Sequence, residues 1–391
     1  MDRRRLAVCL CGAAAFVPLY APQSLLPLLR HFAGPGKTMG AAMAGAIVSA
    51  GTAGVALAAP FMGRLGDRFG RHRVIVLAAF LAAIPSVLSA LAPTPALLIA
   101  ARLLEGLALP GVFAVTVAYT AERWPPREAR PVTALYVAGT IGGGFCGRLL
   151  SGLVAEFAGW RWAFAALAAL QLVLAVLIRA WLAPDAPKPR QAATAPVHFH
   201  HLFADPALRG VYAAGFALLF SLVAAFTYVS LRLAEPPFGL GPAGLSGIFV
   251  VYLLSMLTTP LSGRLLNRYG YERVLAAAWT AAIAGLLITL APSLPAVIAG
   301  LTLFSAGLFF AQTAATTFVG EAMPAARGTA VGLYVTCYYL GGSAGGVLPA
   351  PLWTAFGWPG VIALIAFTGV FCVALGRRGF RHHARTARHR P

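Results

Sequence analysis

The chain is 391 residues long, with 59% hydrophobic and only 10% charged residues and a mean hydropathy of +0.79. Water-soluble domains carry about 25% charged residues, so this composition excludes an ordinary soluble enzyme or binding module and makes lipid the solvent. A formal net charge of +19 would suit a nucleic-acid binder, but the placement of the charge argues against one.

A hydrocarbon core about 30 Å thick is crossed by about 20 apolar helical residues, and the sequence divides into about twelve such segments. Arginine and lysine concentrate in alternate connections and at both ends, as the positive-inside rule requires of short cytoplasmic loops. Only Arg30, Lys37, Arg161 and Arg232 fall in the other connections, and only Arg102 and Arg148 within segments. Both termini are therefore expected in the cytoplasm, with the lipid bilayer rather than nucleic acid as the surrounding partner. MDRRR followed by an apolar run, with no small-residue cleavage site, reads as an uncleaved signal anchor that is itself segment 1. Cys9, Cys11, Cys146, Cys337 and Cys372 lie in apolar runs without metal-ligand spacing, so neither a disulfide framework nor a metal site is expected.

Segment 1, about residues 6–29, is interrupted by Pro18, Pro22 and Pro27, breaks that membranes tolerate where the freed backbone lines a cavity or packs on a neighbour. Tyr20 and Gln23 near its centre have two readings, a cavity-facing pair or a pair bonded to the next helix. Segment 2, about 39–62, holds Gly40, Gly45, Gly51 and Gly54, small residues that let helices approach closely in lipid. It ends in PFMGRLGDRFGRHR (60–73), a loop of Arg64, Asp67, Arg68, Arg71 and Arg73 at the membrane surface. Pro60, Gly63, Arg64, Arg68, Gly70 and Arg73 return in unchanged register as Pro260, Gly263, Arg264, Arg268, Gly270 and Arg273, with Asn267 in place of Asp67. The chain is therefore a duplicated membrane unit.

Segment 3 covers about 74–91, and segment 4 about 96–121. In segment 4, Arg102 and Glu105 are three residues apart and share a helical face. At 1.5 Å per residue Glu105 lies roughly 14 Å from the segment's outer end, near the bilayer midplane. A carboxylate at that depth is a functional group by default, here a proton-linked one; the alternative is a static ion pair with Arg102 that orients the helix. Segments 5 and 11 repeat the duplication, Leu135-Tyr136-Val137 through Gly159-Trp160 mapping onto Leu333-Tyr334-Val335 through Gly357-Trp358. Arg148 in segment 5 either attracts an anionic group or satisfies carbonyls and Glu156 near the helix end.

The proline-rich stretch 184–206 is the linker between halves, and its His198, His200 and His201 read as solvent-exposed rather than metal-binding. The expected domains are thus 1–183, the cytoplasmic linker 184–206, 207–376, and a basic cytoplasmic tail 377–391. The second half has helices near 207–231, 244–262, 274–292, 296–320, 328–352 and 358–376. Its segment interiors carry no Asp, Glu, Lys or Arg and offer aromatic and neutral polar groups, of which Phe226, Tyr228 and Gln312 are the candidate cavity residues.

GRLGDRFGRHR resembles the cytoplasmic loop between helices 2 and 3 of the major facilitator superfamily, through Gly63, Asp67, Arg68, Gly70 and Arg71, with His72 and Arg73 at the basic end. The resemblance implies an all-α polytopic membrane protein with 12 transmembrane helices in two pseudo-symmetric six-helix bundles, a monomer, with the substrate near midplane between the repeats. It also implies that Glu122, and Glu321 at the corresponding turn, join a charge cluster around this loop. Asp67 would face the positive end of helix 11, which together with Arg68, Arg71, Arg73, Asn267 and Arg268 makes a cytoplasmic gate. Arg102-Leu-Leu-Glu105-Gly106 is similar to the family's helix-4 pattern R-x-x-Q-G, with a titratable Glu in the Gln position. Gly139, Gly142, Gly143, Gly144 and Gly147 look like its Gly-rich antiporter helix 5, with Arg148 where a proline is expected.

No nucleophile elbow, paired carboxylates, phosphate loop or zinc spacing is present, so an enzyme is not expected and no cofactor is implied. The pattern as a whole resembles the drug:proton antiporter and arabinose-efflux-like, YnfM-like, branch of bacterial inner-membrane proteins. That implies a secondary transporter exchanging a small solute for protons, by alternating access, with Glu105 as the proton-linked group and Arg102 tuning it. The alternative is a proton-coupled symporter that imports a sugar or organic anion recognised by Arg148 and Arg102.

Overall fold

The computed structural model describes residues 2–33, 38–185, 206–256, 259–322 and 327–388, and among these every regular element is helical. The first half comprises α1 (Arg3–Phe16), α2 (Leu26–Arg30), α3 (Ala41–Phe69), α4 (Arg71–Leu81), α5 (Ala83–Leu91), α6 (Pro95–Arg123), α7 (Pro126–Ala158) and α8 (Trp160–Trp181). The second comprises α9 (Pro206–Ala234), α10 (Pro242–Ile248), α11 (Val250–Met256), α12 (Thr259–Ile288), α13 (Leu294–Ala322), α14 (Arg327–Val347) and α15 (Ala350–Arg388). Among the described residues nine helices are long and apolar enough to cross a bilayer. Three further crossings complete the twelve: the broken first one (α1 with α2), the broken eighth (α10, α11 and the start of α12), and α14. The protein is an all-α polytopic membrane protein of two six-helix repeats.

Glycine marks the same corners in both repeats. Gly70 (φ 89) and Gly270 (φ 76) turn the chain after the second and eighth crossings, and Gly159 (φ 85) and Gly357 (φ 62) after the fifth and eleventh. These left-handed conformations cost a side-chain-bearing residue roughly 1–2 kcal/mol. The arginine before each of the first two corners lies over the ring that follows it, Arg68 over Phe69 and Arg268 over Tyr269, at 5.2 and 5.3 Å from the centroids. The repeat is thus visible in conformation as well as in sequence.

Compactness divides the molecule into two units. One holds the described residues up to Asp185 together with Ser230–Phe249; the other holds the described residues from Pro206 to Val229 and from Val250 onward. In the first unit α3 crosses α6 where a Cβ on Gly106 would strike the Gly51 carbonyl, and α1 crosses α7 where Gly139, Gly143 and Gly147 lie against Cys9, Ala13 and Val17. In the second unit Gly341 and Gly345 of α14 meet the carbonyls of Phe216 and Phe220 of α9 in the same way. Such approach maximises dispersion contact where lipid removes the hydrophobic drive. Large apolar side chains face outward, Leu77 61% and Phe157 88% exposed, as a surface solvated by hydrocarbon requires.

The helices exceed the sequence estimates at several ends. The seventh crossing runs to Ala234, so Arg232 sits in its last turn rather than in a loop. The eighth crossing is broken after Ile248 instead of running unbroken.

Candidate functional site

The break in the first crossing creates the site. Pro22 has no N–H, so the Pro18 carbonyl loses its helical partner, and the Gln23 N–H turns to Tyr20 O (3.1 Å), which leaves the Leu19 carbonyl open as well. Arg102 of α6 fills both positions: its Nη2 donates to Pro18 O at 3.0 Å and to Leu19 O at 2.7 Å. The third opened carbonyl, Ala21 O, accepts from Ser24 Oγ (3.0 Å) and from Ser151 Oγ of α7 (3.2 Å). Buried main-chain carbonyls without partners are costly, and here two neighbouring helices supply the donors.

Arg102 Nη1 also donates to Glu105 Oε2, one turn along α6. The other carboxylate oxygen accepts from Ser86 Oγ of α5 at 2.6 Å. Arg102 and Glu105 are both 0% exposed. An ion pair at that depth offsets its desolvation only when the remaining donors and acceptors are met, as most are here. The spacing of Arg102 and Glu105 predicts their contact. Ser86, the neighbouring donor, is invisible to sequence because it comes from another helix.

The break also leads to a second cation. Gln23 Oε1 accepts from Arg148 Nε (3.1 Å) and Nη2 (2.8 Å), and Arg148 Nη1 donates to Gly144 O at 2.9 Å. The guanidinium lies over the rings of Tyr20 (5.0 Å) and Phe249 (4.4 Å) and is 5% exposed. Tyr20, Gln23 and Arg148 therefore form one buried cluster. Glu156 bonds elsewhere, accepting from Ala243 N at 3.1 Å beside the start of α10. From Glu105 through Arg102 and the broken segment to Arg148, the first unit holds a continuous polar path.

The stretch 60–73, expected as a loop, is instead the last turns of α3, the Gly70 corner and the start of α4, because the helix continues through Pro60 until left-handed Gly70 ends it, and its charges gather there. Arg71 Nη2 pairs with Asp67 Oδ1 at 3.1 Å and with Glu122 Oε1 of α6. Arg73 is exposed, Arg68 rests on Phe69, and a Cβ on Gly63 would meet open space. The side chains of Asn267 and Glu321, and residues His198, His200 and His201, lie outside the described residues. Among the described residues no group of three metal-ligating side chains occurs.

The second-unit candidates separate into two kinds. Tyr228 is buried, and its hydroxyl donates to Gly346 O at 2.9 Å, which is a packing role. Phe226 is buried against Tyr252 at 4.6 Å, with Phe309 beyond it. Gln312 is half-buried and accepts from Tyr338 OH at 3.4 Å. Of the Gly-rich stretch of α7, Gly139, Gly143 and Gly147 serve the crossing with α1, an arrangement that recurs between α14 and α9, while Gly144 lies beside Arg148 and Gly142 meets open space.

The family model of the Major Facilitator Superfamily matches residues 8–346 and 237–390. The inner membrane transport protein YnfM of Escherichia coli K12 is 34% identical over 381 residues, covering 96% of this chain and 90% of that protein. An uncharacterized transporter of Buchnera aphidicola subsp. Baizongia pistaciae is 32% identical over 371 residues, covering 93% and 90%. Among solved structures, the nucleoside transporter NupG superposes with a TM-score of 0.77 at 16% identity, covering 97% and 99%. A bacterial homologue of the human lysosomal transporter Spinster, inward-facing and occupied, superposes with a TM-score of 0.74 at 16% identity, covering 98% and 96%.

Proposed function

Since the chain belongs to the Major Facilitator Superfamily and is a secondary transporter, we propose that it exports a small solute in exchange for protons, with Glu105 as the proton-linked group. One observation carries this reading. Among the acidic side chains that the structure describes, Glu105 alone lies deep within a membrane-spanning helix, fully buried and engaged on both oxygens. Its protonation removes the charge that holds Arg102, and Arg102 holds the broken segment that bears Tyr20 and Gln23. A proton on Glu105 is thereby felt at Arg148, two steps along the same network.

On this reading the protein lies in a bacterial inner membrane with both termini cytoplasmic, and works as a monomer. The charge cluster of Asp67, Arg71 and Glu122 is its cytoplasmic latch; Tyr20, Gln23 and Arg148 are the solute-contact candidates of the first unit, and Phe226 and Gln312 those of the second. The lean towards efflux rests on the likeness to the drug:proton antiporter branch. A second reading has its own support: the guanidinium of Arg148 is buried beside the broken segment, held by Gln23 Oε1 and Gly144 O, and its planar fork suits recognition of an organic anion taken up with protons.

Everted vesicles energised with a proton gradient, offered lipophilic cations, sugars and organic acids, test both. Collapse of the gradient by a compound in wild type and not in Glu105→Gln supports exchange through Glu105. Absence of collapse by any compound, with proton-driven uptake of one of them into whole cells, makes the protein an importer instead.

A further inference from the structure

The turn from α3 to α4 lacks the capping group its helix needs. Gly70 occupies the N-cap of α4 and has no side chain with which to accept from the first free N–H groups. Asp185 supplies that group from 113 residues beyond His72: its Oδ1 and Oδ2 accept from His72 N at 3.1 and 3.2 Å. The carboxylate is seated so closely that a Cβ on Gly70 would lie 2.7 Å from Asp185 Oδ2. It also faces the positive end of an 11-residue helix, where a carboxylate is favoured. A second contact fixes the same stretch, Tyr119 OH of α6 donating to Ala183 O at 2.7 Å.

Gly270 at the corresponding corner is left-handed like Gly70, but among the described residues nothing lies within 4 Å of where its Cβ would be, whereas Asp185 Oδ2 lies 2.7 Å from that of Gly70.

We propose that Asp185 is a positioning residue for this loop. By capping α4 from outside, it fixes the Gly70 turn and so the direction of Arg71, on which Asp67 and Glu122 converge. It also ties the start of the stretch that joins the two repeats to the loop itself. The inference deepens the reading of the loop as a cytoplasmic latch and rests on it for its role in transport.

Hydrogen exchange of the full-length protein in lipid nanodiscs tests it, followed on segments containing His72 and Glu122, in wild type, Asp185→Ala, Asp185→Asn, Asp185→Ser and Asp67→Asn. Loss of an N-cap costs about 1 kcal/mol, so Asp185→Ala should speed exchange at His72 roughly fivefold, and the Glu122 end of α6 should loosen with it through Arg71. Asn carries its accepting oxygen at the same reach as Asp and should keep wild-type exchange at both places, whereas Ser, one bond shorter, should fall short of His72 N and exchange like Asp185→Ala. Unchanged exchange in Asp185→Ala overturns the proposal. So does Asp185→Asn exchanging as fast as Asp185→Ala, because charge and not capping would then be at work, and so does loosening at His72 that leaves the Glu122 end unaffected. Turnover of Asp67→Asn in the vesicle assay tests the latch separately. If it is unchanged while Asp185→Ala loosens both segments, the cap stands and the latch falls; the converse result removes Asp185 and leaves the latch.

Discussion

Arg102 Nη2 donates to Leu19 O at 2.7 Å, so a side chain of the fourth crossing completes the main-chain hydrogen bonding of the first. The same guanidinium holds Glu105, which makes one residue both a structural cap and the partner of the buried carboxylate. The ion-pair reading and the proton-linked reading of Glu105 are therefore not exclusive. A pair that clamps the break is the means by which a proton on Glu105 can alter the break.

The clamp predicts an order of stabilities. Arg102→Ala leaves Glu105 buried beside two carbonyls that have lost their donor, and removal of one partner of a buried ion pair costs about 3–5 kcal/mol. Arg102→Lys keeps the charge but not the fork that reaches Glu105 and the two carbonyls at once. Melting in detergent, followed by tryptophan fluorescence, should give wild type above Arg102→Lys above Arg102→Ala. An Arg102→Ala protein that melts with wild type would remove the capping role.

Two glycines of the same region should respond in opposite ways. A Cβ on Gly106 runs into the Gly51 carbonyl at the α3–α6 crossing, and overpacking of this kind costs about 1–3 kcal/mol. A Cβ on Gly63 meets open space within α3, where alanine is the better helix former by about 1 kcal/mol. Gly106→Ala should lower the melting temperature, and Gly63→Ala should leave it unchanged or raise it. If Gly63→Ala nonetheless slows transport, the effect lies in the latch and not in folding.

The duplicated corners, the twelve crossings and the Arg102–Glu105 pair were legible because each is written at short range or repeated in register. Gly70 with Gly270, and Gly159 with Gly357, could be matched by eye before their left-handed backbone was known. Ser86, Ser151 and Asp185 were not legible, since each acts on a helix distant in sequence and no spacing links them to it. The packing use of Gly139, Gly143 and Gly147 was not legible either, because the α1 backbone they press against lies more than a hundred residues away in sequence.

Tyr228 and Tyr338 should separate packing from solute contact. Tyr228 is buried with its hydroxyl on Gly346 O, so Tyr228→Phe strands a buried acceptor and costs about 1–3 kcal/mol, with no change in solute affinity. Tyr338 is half-buried, and its hydroxyl donates to Gln312 Oε1 at 3.4 Å, a weak bond whose loss, with the ring contacts to Tyr334 and Tyr339 kept, should leave the melting temperature alone. Binding of the transported compound by intrinsic fluorescence should weaken in Tyr338→Phe and Gln312→Ala. Weakening in Tyr228→Phe instead would reassign the cavity wall.

Glu105→Gln isolates coupling from binding. The amide has nearly the volume of the carboxylate and can still accept from Ser86 Oγ, so the packing around α5 and α6 should survive. It carries no charge and takes no proton at working pH, so Arg102 loses its ionic partner for good and the clamp no longer has two states. Exchange of labelled for unlabelled solute across proteoliposomes at equal pH needs the carrier to bind and reorient but needs no net proton movement. That exchange should persist in Glu105→Gln, within about threefold of wild type, while accumulation driven by a pH difference should vanish and the rate should lose its dependence on pH. Loss of both activities would mean that Glu105 serves the fold or the binding step. Retention of both would mean that protons, if they drive this carrier, enter through another group.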